Sequence, residues 1–477
     1  MPTPDPARPR GGRLYSIAPH VAFADALARG VLARTAADPL ALARTQILLP
    51  NRRAVAAVTD AFVRAMGSDG VPAGLLLPRL TPVGDLGDPA FERFAAGTAP
   101  LPAAVPPLLR RFELARLVRA LPSGEPGRTR SAVEALRLGD ALAATLDALL
   151  AEEVSPDRLR DVVADAGPEL AAHWQATLAW LDVIITAWPR ARGDAADSGT
   201  RLAALVDATV ARWQATPPQA PVIVAGVTGH SPPLLRLLRA VLALPAGIVV
   251  LPGLDTDLSE EGEARWEAIR CAAADAEPAE APGRDSEAHP QFAMKALLAG
   301  LGWRRDEAED WGVATPWDGA AARTPALHAA LAPADAADGW HAAAADPAAF
   351  AGVRLVEAAT RAEEAQVIAL ALREALETPG RRAALVTPDR ALARRVAAHC
   401  RRWGIAVDDS GGTPLRLTPP GALLLALAAA LVEGFAPVAL LAVLKHPLVA
   451  AGGDRLAWLG QVRRLDLALR GQRPPAG

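Results

Sequence analysis

Short apolar runs that each end in a proline or glycine turn constrain this chain more than any other feature. They occur in LYSIAP from residue 14, QILLPN from 46, PVIVAG from 221 and GIVVLPG from 247. Helix-like segments follow: after QILLPN, Val55, Val58 and Phe62 recur at helical spacing. Apolar strands alternating with amphipathic helices predict an α/β fold with a parallel sheet, because such strands are covered on both faces. AGLLLPRLTPVGDL, residues 73–86, predicts one more strand.

A chain of 477 residues is too long for one core. Residues 1–12 read as a tail. Residues 101–216 carry helical periodicity without strand signals, so they read as a helical insertion into a domain made of 13–100 and 217–315. The acidic, Pro- and Ala-rich stretch 272–288 reads as a solvated loop, and 316–349 as a linker. A second α/β unit is expected over 350–430. Its strands would be VRLVEAAT (353–360), AALVTPDR (383–390) and GIAVDD (404–409), around a helix with Ala365, Ile368, Leu372 and Leu376 on one face. Residues 431–477 read as the start of a second helical insertion. Gly421–Val432 is an almost unbroken apolar run of 12 residues. A membrane span needs about 20, so a buried helix is expected there.

Two cysteines, Cys271 and Cys400, are too few for a disulfide framework or a cysteine-built zinc or iron–sulfur site. The opening MPTPDPARPRGGR has no apolar signal-peptide core, so a cytoplasmic protein is expected. The net charge of −3 does not advertise a nucleic-acid binder. Of 50 basic residues, only Lys295 and Lys445 are lysines, and they follow Met294 and Leu444. Neither sits in the Gly-Lys-Ser/Thr of a phosphate-cradling P-loop, nor in an acid-x-lysine nuclease pair. HExxH, CxxC and G-x-S-x-G are absent.

Three carboxylates stand at informative places. Asp408 and Asp409 lie where a strand would enter a glycine turn, so they suit either a metal or an Asx turn. Asp255 follows GIVVLPG, at a strand end where doubly wound folds bind ligands; a loop cap is the alternative. One turn grammar also repeats. ILLPNRRAVAAV (47–58) and ALVTPDRALARRV (384–396) each run apolar segment, proline, Asn or Asp cap, arginine, helix.

An ordered set of blocks carries a resemblance: LLPNRRA, LLLPRLTPVGD, VIVAGVTGHSPPLLRLL, VVLPGLD, HPQFAMKALLAGLGW, LVTPDRALARRV, WGIAVDDSGGTPL and LLAVLKHPLVAAGGDR. Over residues 13–473 the sequence resembles the AddB family of AddAB helicase–nucleases, in its alphaproteobacterial form. More broadly it resembles superfamily-1 helicases of the UvrD/RecB type. The resemblance implies two RecA-like domains, each with a helical insertion. It also implies a degenerate nucleotide site: the P-loop position reads YSIAPHVAFAD, and Ala225 and Gly226 replace the water-activating acids. No catalytic, nucleotide-binding or metal residue is carried over. The family's nuclease domain and iron–sulfur cysteines would lie beyond the matched part, and ATP and magnesium would come with the AddA partner. The implied role is a DNA-gripping subunit of an ATP-dependent complex that resects double-strand breaks for homologous recombination. A non-catalytic docking scaffold for AddA is the alternative. Implied partners are AddA and single- and double-stranded DNA ends, without a membrane.

In helicase-like folds the turns after sheet strands line the DNA channel, where phosphate meets a helix N-terminus and a cation. The resemblance therefore points to Asn51, Arg52 and Arg53 in the first domain and to Thr387 and Arg390 in the second. Arg79, Thr228, Gly229 and His230 stand at other strand ends as further candidates.

Overall fold

The computed structural model describes residues 11–38, 40–67, 76–83, 101–121, 130–156, 158, 180–270, 287–316, 318–341 and 346–470. The chain divides into two compact units, Met1–Gly352 and Val353–Gly477.

The first unit begins β1 (Arg13–Ile17), α1 (Phe23–Thr35), β2 (Gln46–Leu49), α2 (Arg52–Gly67) and β3 (Arg79–Pro82). A helical stretch follows, with α3 (Pro107–Ala120), α4 (Ala132–Ala151) and α5 (Ser198–Ala215). The chain then returns through β4 (Val222–Ala225), α6 (Pro232–Ala243), β5 (Gly247–Pro252), α7 (Glu260–Ala268), α8 (Phe292–Leu301), β6 (Glu309–Asp310) and α9 (Arg323–Ala330). The strands form one sheet in the order β3-β2-β4-β5-β1-β6, and every pairing is parallel.

Alternation along the strands makes two apolar layers. Tyr15, Ile17, Ile47, Leu49, Ile223 and Val250 meet Leu27, Val31, Val58 and Phe62 of α1 and α2. Leu14, Leu48, Val222, Val224, Val249 and Leu251 meet Trp213, Leu237, Leu238 and Leu298 of α5, α6 and α8. Each fully buried Leu, Ile or Val contributes about 2 kcal/mol of apolar transfer. The apolar runs of the sequence thus become central strands covered on both faces, which gives the expected α/β class.

The strand expected within residues 73–86 is β3, which pairs as Gln46↔Arg79 through Leu49↔Pro82, while Leu76 and Leu77 stay exposed. Pro82 is tolerated because β3 is an edge strand. One strand has no counterpart in the sequence expectation. β6 has only two charged residues and no sequence signal. It is fixed by Trp311, whose amide donates to Ser16 O (2.9 Å) and whose indole Nε1 donates to Ala26 O (2.9 Å). The indole lies so close to Gly30 of α1 that a Cβ there would collide with it.

The helical block has its own core of Leu114, Val118, Leu142, Leu146, Ile184 and Trp188. Its last helix, α5, instead joins the sheet layer through Leu205, Val206 and Trp213. Residues 316–349, expected as a linker, fall in the first unit and include α9. Of the expected tail and acidic loop, residues 1–10 and 272–286 lie outside the described residues.

The second unit contains α10 (Arg361–Leu376), α11 (Arg390–Arg402), α12 (Pro419–Val432), α13 (Pro437–Leu444) and α14 (Arg455–Ala468). The three strands expected at 353–360, 383–390 and 404–409 are not formed: among the described residues of this unit there is no strand. The physical reason is the lack of a ladder and of a second covering layer: Leu385 and Ile405 pack on the α10 and α11 core, but among the described residues nothing covers the other face. Leu355 is 89% exposed and Val386 is 94% exposed. The small core joins Ala365, Ala369, Val396 and Cys400 with Ile368, Leu372 and Ile405. The expected burial of Gly421–Val432 also fails. In α12 the buried residues are Gly421 and Ala430, while Leu424, Leu425, Leu431 and Val432 are exposed. Among the described residues no helix is long and apolar enough to cross a membrane.

Candidate functional site

Parallel strands deliver their C-terminal turns to one edge of the sheet, where doubly wound folds bind ligands. Here the turns after β1, β2, β4 and β5 meet. Gly226, at φ +74°, lets the β4 turn pass Phe23 and Pro50; a Cβ would lie 3.3 Å from the Phe23 ring. Gly253, at φ +67°, does the same for the β5 turn against Pro19.

The β2 turn places three sequence candidates on this edge. Asn51 Oδ1 accepts from the Ala54 amide at 2.9 Å and caps α2. Arg52 and Arg53 occupy the first positions of α2 and are exposed. Thr228 and Gly229 are exposed in the β4 turn. His230 is half-buried, its ring edge-on to Phe292 at 6.2 Å. Arg79 does not share this edge. It opens β3, so it lies at the N-terminal edge, beside a cavity of about 500 Å³ lined by Arg44, Gln46 and Gln219.

The β1 turn, where a P-loop would stand, carries a carboxylate instead. The Ala22 amide, at the start of α1, donates to Asp318 Oδ1 at 3.0 Å. Thr315 adds its amide to Oδ2 (2.8 Å) and its hydroxyl to Oδ1 (2.6 Å). Burial works against ionising Asp318, but these hydrogen bonds outweigh it and hold the carboxyl below its usual range. The Gly319 amide donates to His20 O (2.7 Å), and His20 Nδ1 lies 3.0 Å from Thr324 Oγ1. A nucleotide phosphate there would compete with Asp318 for the Ala22 amide and meet its negative charge. The residues of this turn do not fit a nucleotide.

Asp255, at the end of β5, is buried. Its Oδ1 accepts from the Asp257 amide at 2.9 Å, a loop cap, and lies 3.3 Å from His328 Nδ1 of α9. Burial pushes His328 below the usual histidine range, against the pull of Asp255. Its Nε2 is buried without a hydrogen-bond partner among the described residues. No spacing rule could have announced these pairs: Ala22 and Asp318 are 296 residues apart.

In the second unit, Asp389 caps α11 by accepting from the amides of Ala391 (2.7 Å) and Leu392 (3.2 Å). These bonds lower its carboxyl pKa. Thr387 Oγ1 accepts from the Asp389 amide at 3.1 Å, so this candidate stiffens the turn. Arg390 donates from both terminal nitrogens to Asp409, at 2.9 and 2.8 Å, and that pairing raises its pKa. Asp409 Oδ1 also accepts from Gly411 at 2.8 Å, an Asx turn. Among the described residues no group of three or more His, Cys, Asp or Glu could hold a metal ion.

No protein-family model and no curated protein matches the chain. What the geometry offers chemically is an exposed cationic helix start at a sheet edge where the β1 turn already bonds an internal carboxylate.

Proposed function

We propose that this chain is a DNA-binding, helicase-like subunit of the AddB type that does not turn over a nucleotide of its own. The observation that carries the reading is the contrast at the C-terminal edge of the sheet. Asp318 fills the β1–α1 turn, while Arg52 and Arg53 stay exposed at the start of α2. The all-parallel sheet of the first unit is compatible with a RecA-like domain; a second such domain is not proposed for Val353–Gly477, whose described residues form no strand. ATP and magnesium then belong to an AddA motor partner. The complex would process double-strand ends for recombination, with this subunit holding the strand. A second reading, a docking scaffold for the motor subunit, is favoured by the exposed Leu and Val side chains of α12.

The test uses the purified chain alone. The reading expects single-stranded DNA to bind at low salt and to be released as salt rises, with no ATP binding or hydrolysis. ATP hydrolysis by the pure chain would overturn it. Absence of DNA binding, together with tight binding to the motor subunit, would leave the scaffold reading.

A further inference from the structure

The two units differ in charge. Residues 353–477 hold 17 Lys and Arg against 11 Asp and Glu, a net of +6, whereas residues 1–352 hold 33 against 42, a net of −9. Much of the positive charge is concentrated in one place. Between 381 and 402 stand seven arginines and one acid, Asp389, and Asp389 is occupied as the cap of α11.

Helical geometry sorts these residues. At about 100° per residue, Arg394 and Arg401 fall in one column and Arg395 and Arg402 in the next. Val396 and Cys400 face the opposite way and are buried. All four arginines are exposed. Arg394 Nε donates to Arg390 O at 3.1 Å, a bond along its own helix. Among the described residues none of the four forms a salt bridge, and the one carboxylate whose charge acts on them is Asp389, which feels Arg395 without a close contact. Seven residues of helix span about 10 Å, a length over which one strand of a duplex carries about three phosphates. An acidic protein surface rarely repeats charge so densely, whereas a phosphodiester backbone always does.

We propose that the arginine face of α11 is a second phosphate-tracking surface, one that takes the backbone of single-stranded DNA. The inference rests on the DNA-binding reading and moves the grip of the second unit from Arg390, engaged with Asp409, to Arg394, Arg395, Arg401 and Arg402.

The test measures binding of a labelled oligo-dT to the full chain over a salt series. The variant Arg394→Gln/Arg395→Gln/Arg401→Gln/Arg402→Gln is compared with wild type and with the four-lysine counterpart. At about 0.7 counterions per phosphate on a single strand, the log–log salt slope should fall by about 3. Affinity at low salt should drop more than tenfold, and the lysine variant should restore both. Circular dichroism checks that the variants keep their helices, as exposed side chains allow. If wild type binds and the glutamine variant binds equally well with the same slope, this inference falls while the DNA reading stands. If wild type binds no DNA at all, both fall. Preference of this face for phosphatidylserine vesicles over oligo-dT would also overturn it.

Discussion

The turns at 47–58 and 384–396 share one local grammar and have different fates. Both start a helix with an Asx cap, Asn51 bonding Ala54 and Asp389 bonding Ala391 and Leu392. The first follows a four-residue strand whose Ile47, Leu48 and Leu49 are buried between two helical layers. The second follows a segment with no ladder, in which Val386 lies in solvent. The caps form in both because they need only neighbours in sequence. The strand forms only where other strands and two apolar layers receive it. Arg52 and Arg53 are exposed at the start of α2, while Arg390 braces the 408–412 loop through Asp409.

The largest effect expected from this contrast is in core stability. Phe62→Ala removes a fully buried ring beneath the first turn and should cost about 4 kcal/mol in urea unfolding. Val386→Ala in the second turn should change stability by less than about 0.5 kcal/mol. Comparable losses at both positions would erase the distinction. Next in size is Asp318→Ala, which strips the Ala22 amide and Thr315 of their acceptor. A loss of about 1–2 kcal/mol is expected; an unchanged unfolding midpoint would show that the carboxylate does not hold the β1 turn. Asn51→Ala should cost about 1 kcal/mol as a lost cap. Asp389→Ala should instead speed amide exchange at the start of α11 and leave the unfolding of the first unit unchanged.

The smallest expected effect is with pH. His289 and His328 lie in the first unit and are held below the usual histidine range, foremost by burial. The unfolded chain therefore binds protons that the folded one resists. Their contribution is complete above about pH 6.5 and is lost as pH falls through and below that value. The melting temperature should decline over that window, and less so in His328→Gln. A flat profile would count against a buried neutral His328.

The sequence made legible what depends on neighbours and on apolar pattern: β1, β2, β4, β5, the helical block and the two caps. It placed β3 within residues 73–86 but missed its bounds, because the register with β2 that starts at Arg79 depends on a partner strand. It could not reveal β6, since Glu309 and Asp310 are strand by virtue of Trp311 and Ser16. It read 316–349 as a linker because Asp318, Thr324 and His328 find their partners at Ala22, His20 and Asp255, hundreds or tens of residues away. In the second unit, apolar pattern alone did not make strands. For the candidate site, the exposed Arg52 and Arg53 were legible, whereas the anion that fills the neighbouring turn was not.

Under the proposed DNA-binding reading, the exposed Arg52 and Arg53 at the start of α2 contact phosphate, whereas Arg390, bidentate on Asp409, does not. The direct measurement is the salt dependence of single-stranded DNA binding by Arg52→Gln/Arg53→Gln and by Arg390→Gln. The double variant should lower the log–log slope by about 1.4, two phosphates at about 0.7 each, while Arg390→Gln should leave it nearly unchanged. An equal or larger loss in Arg390→Gln, with the double variant indistinguishable from wild type, would contradict that reading.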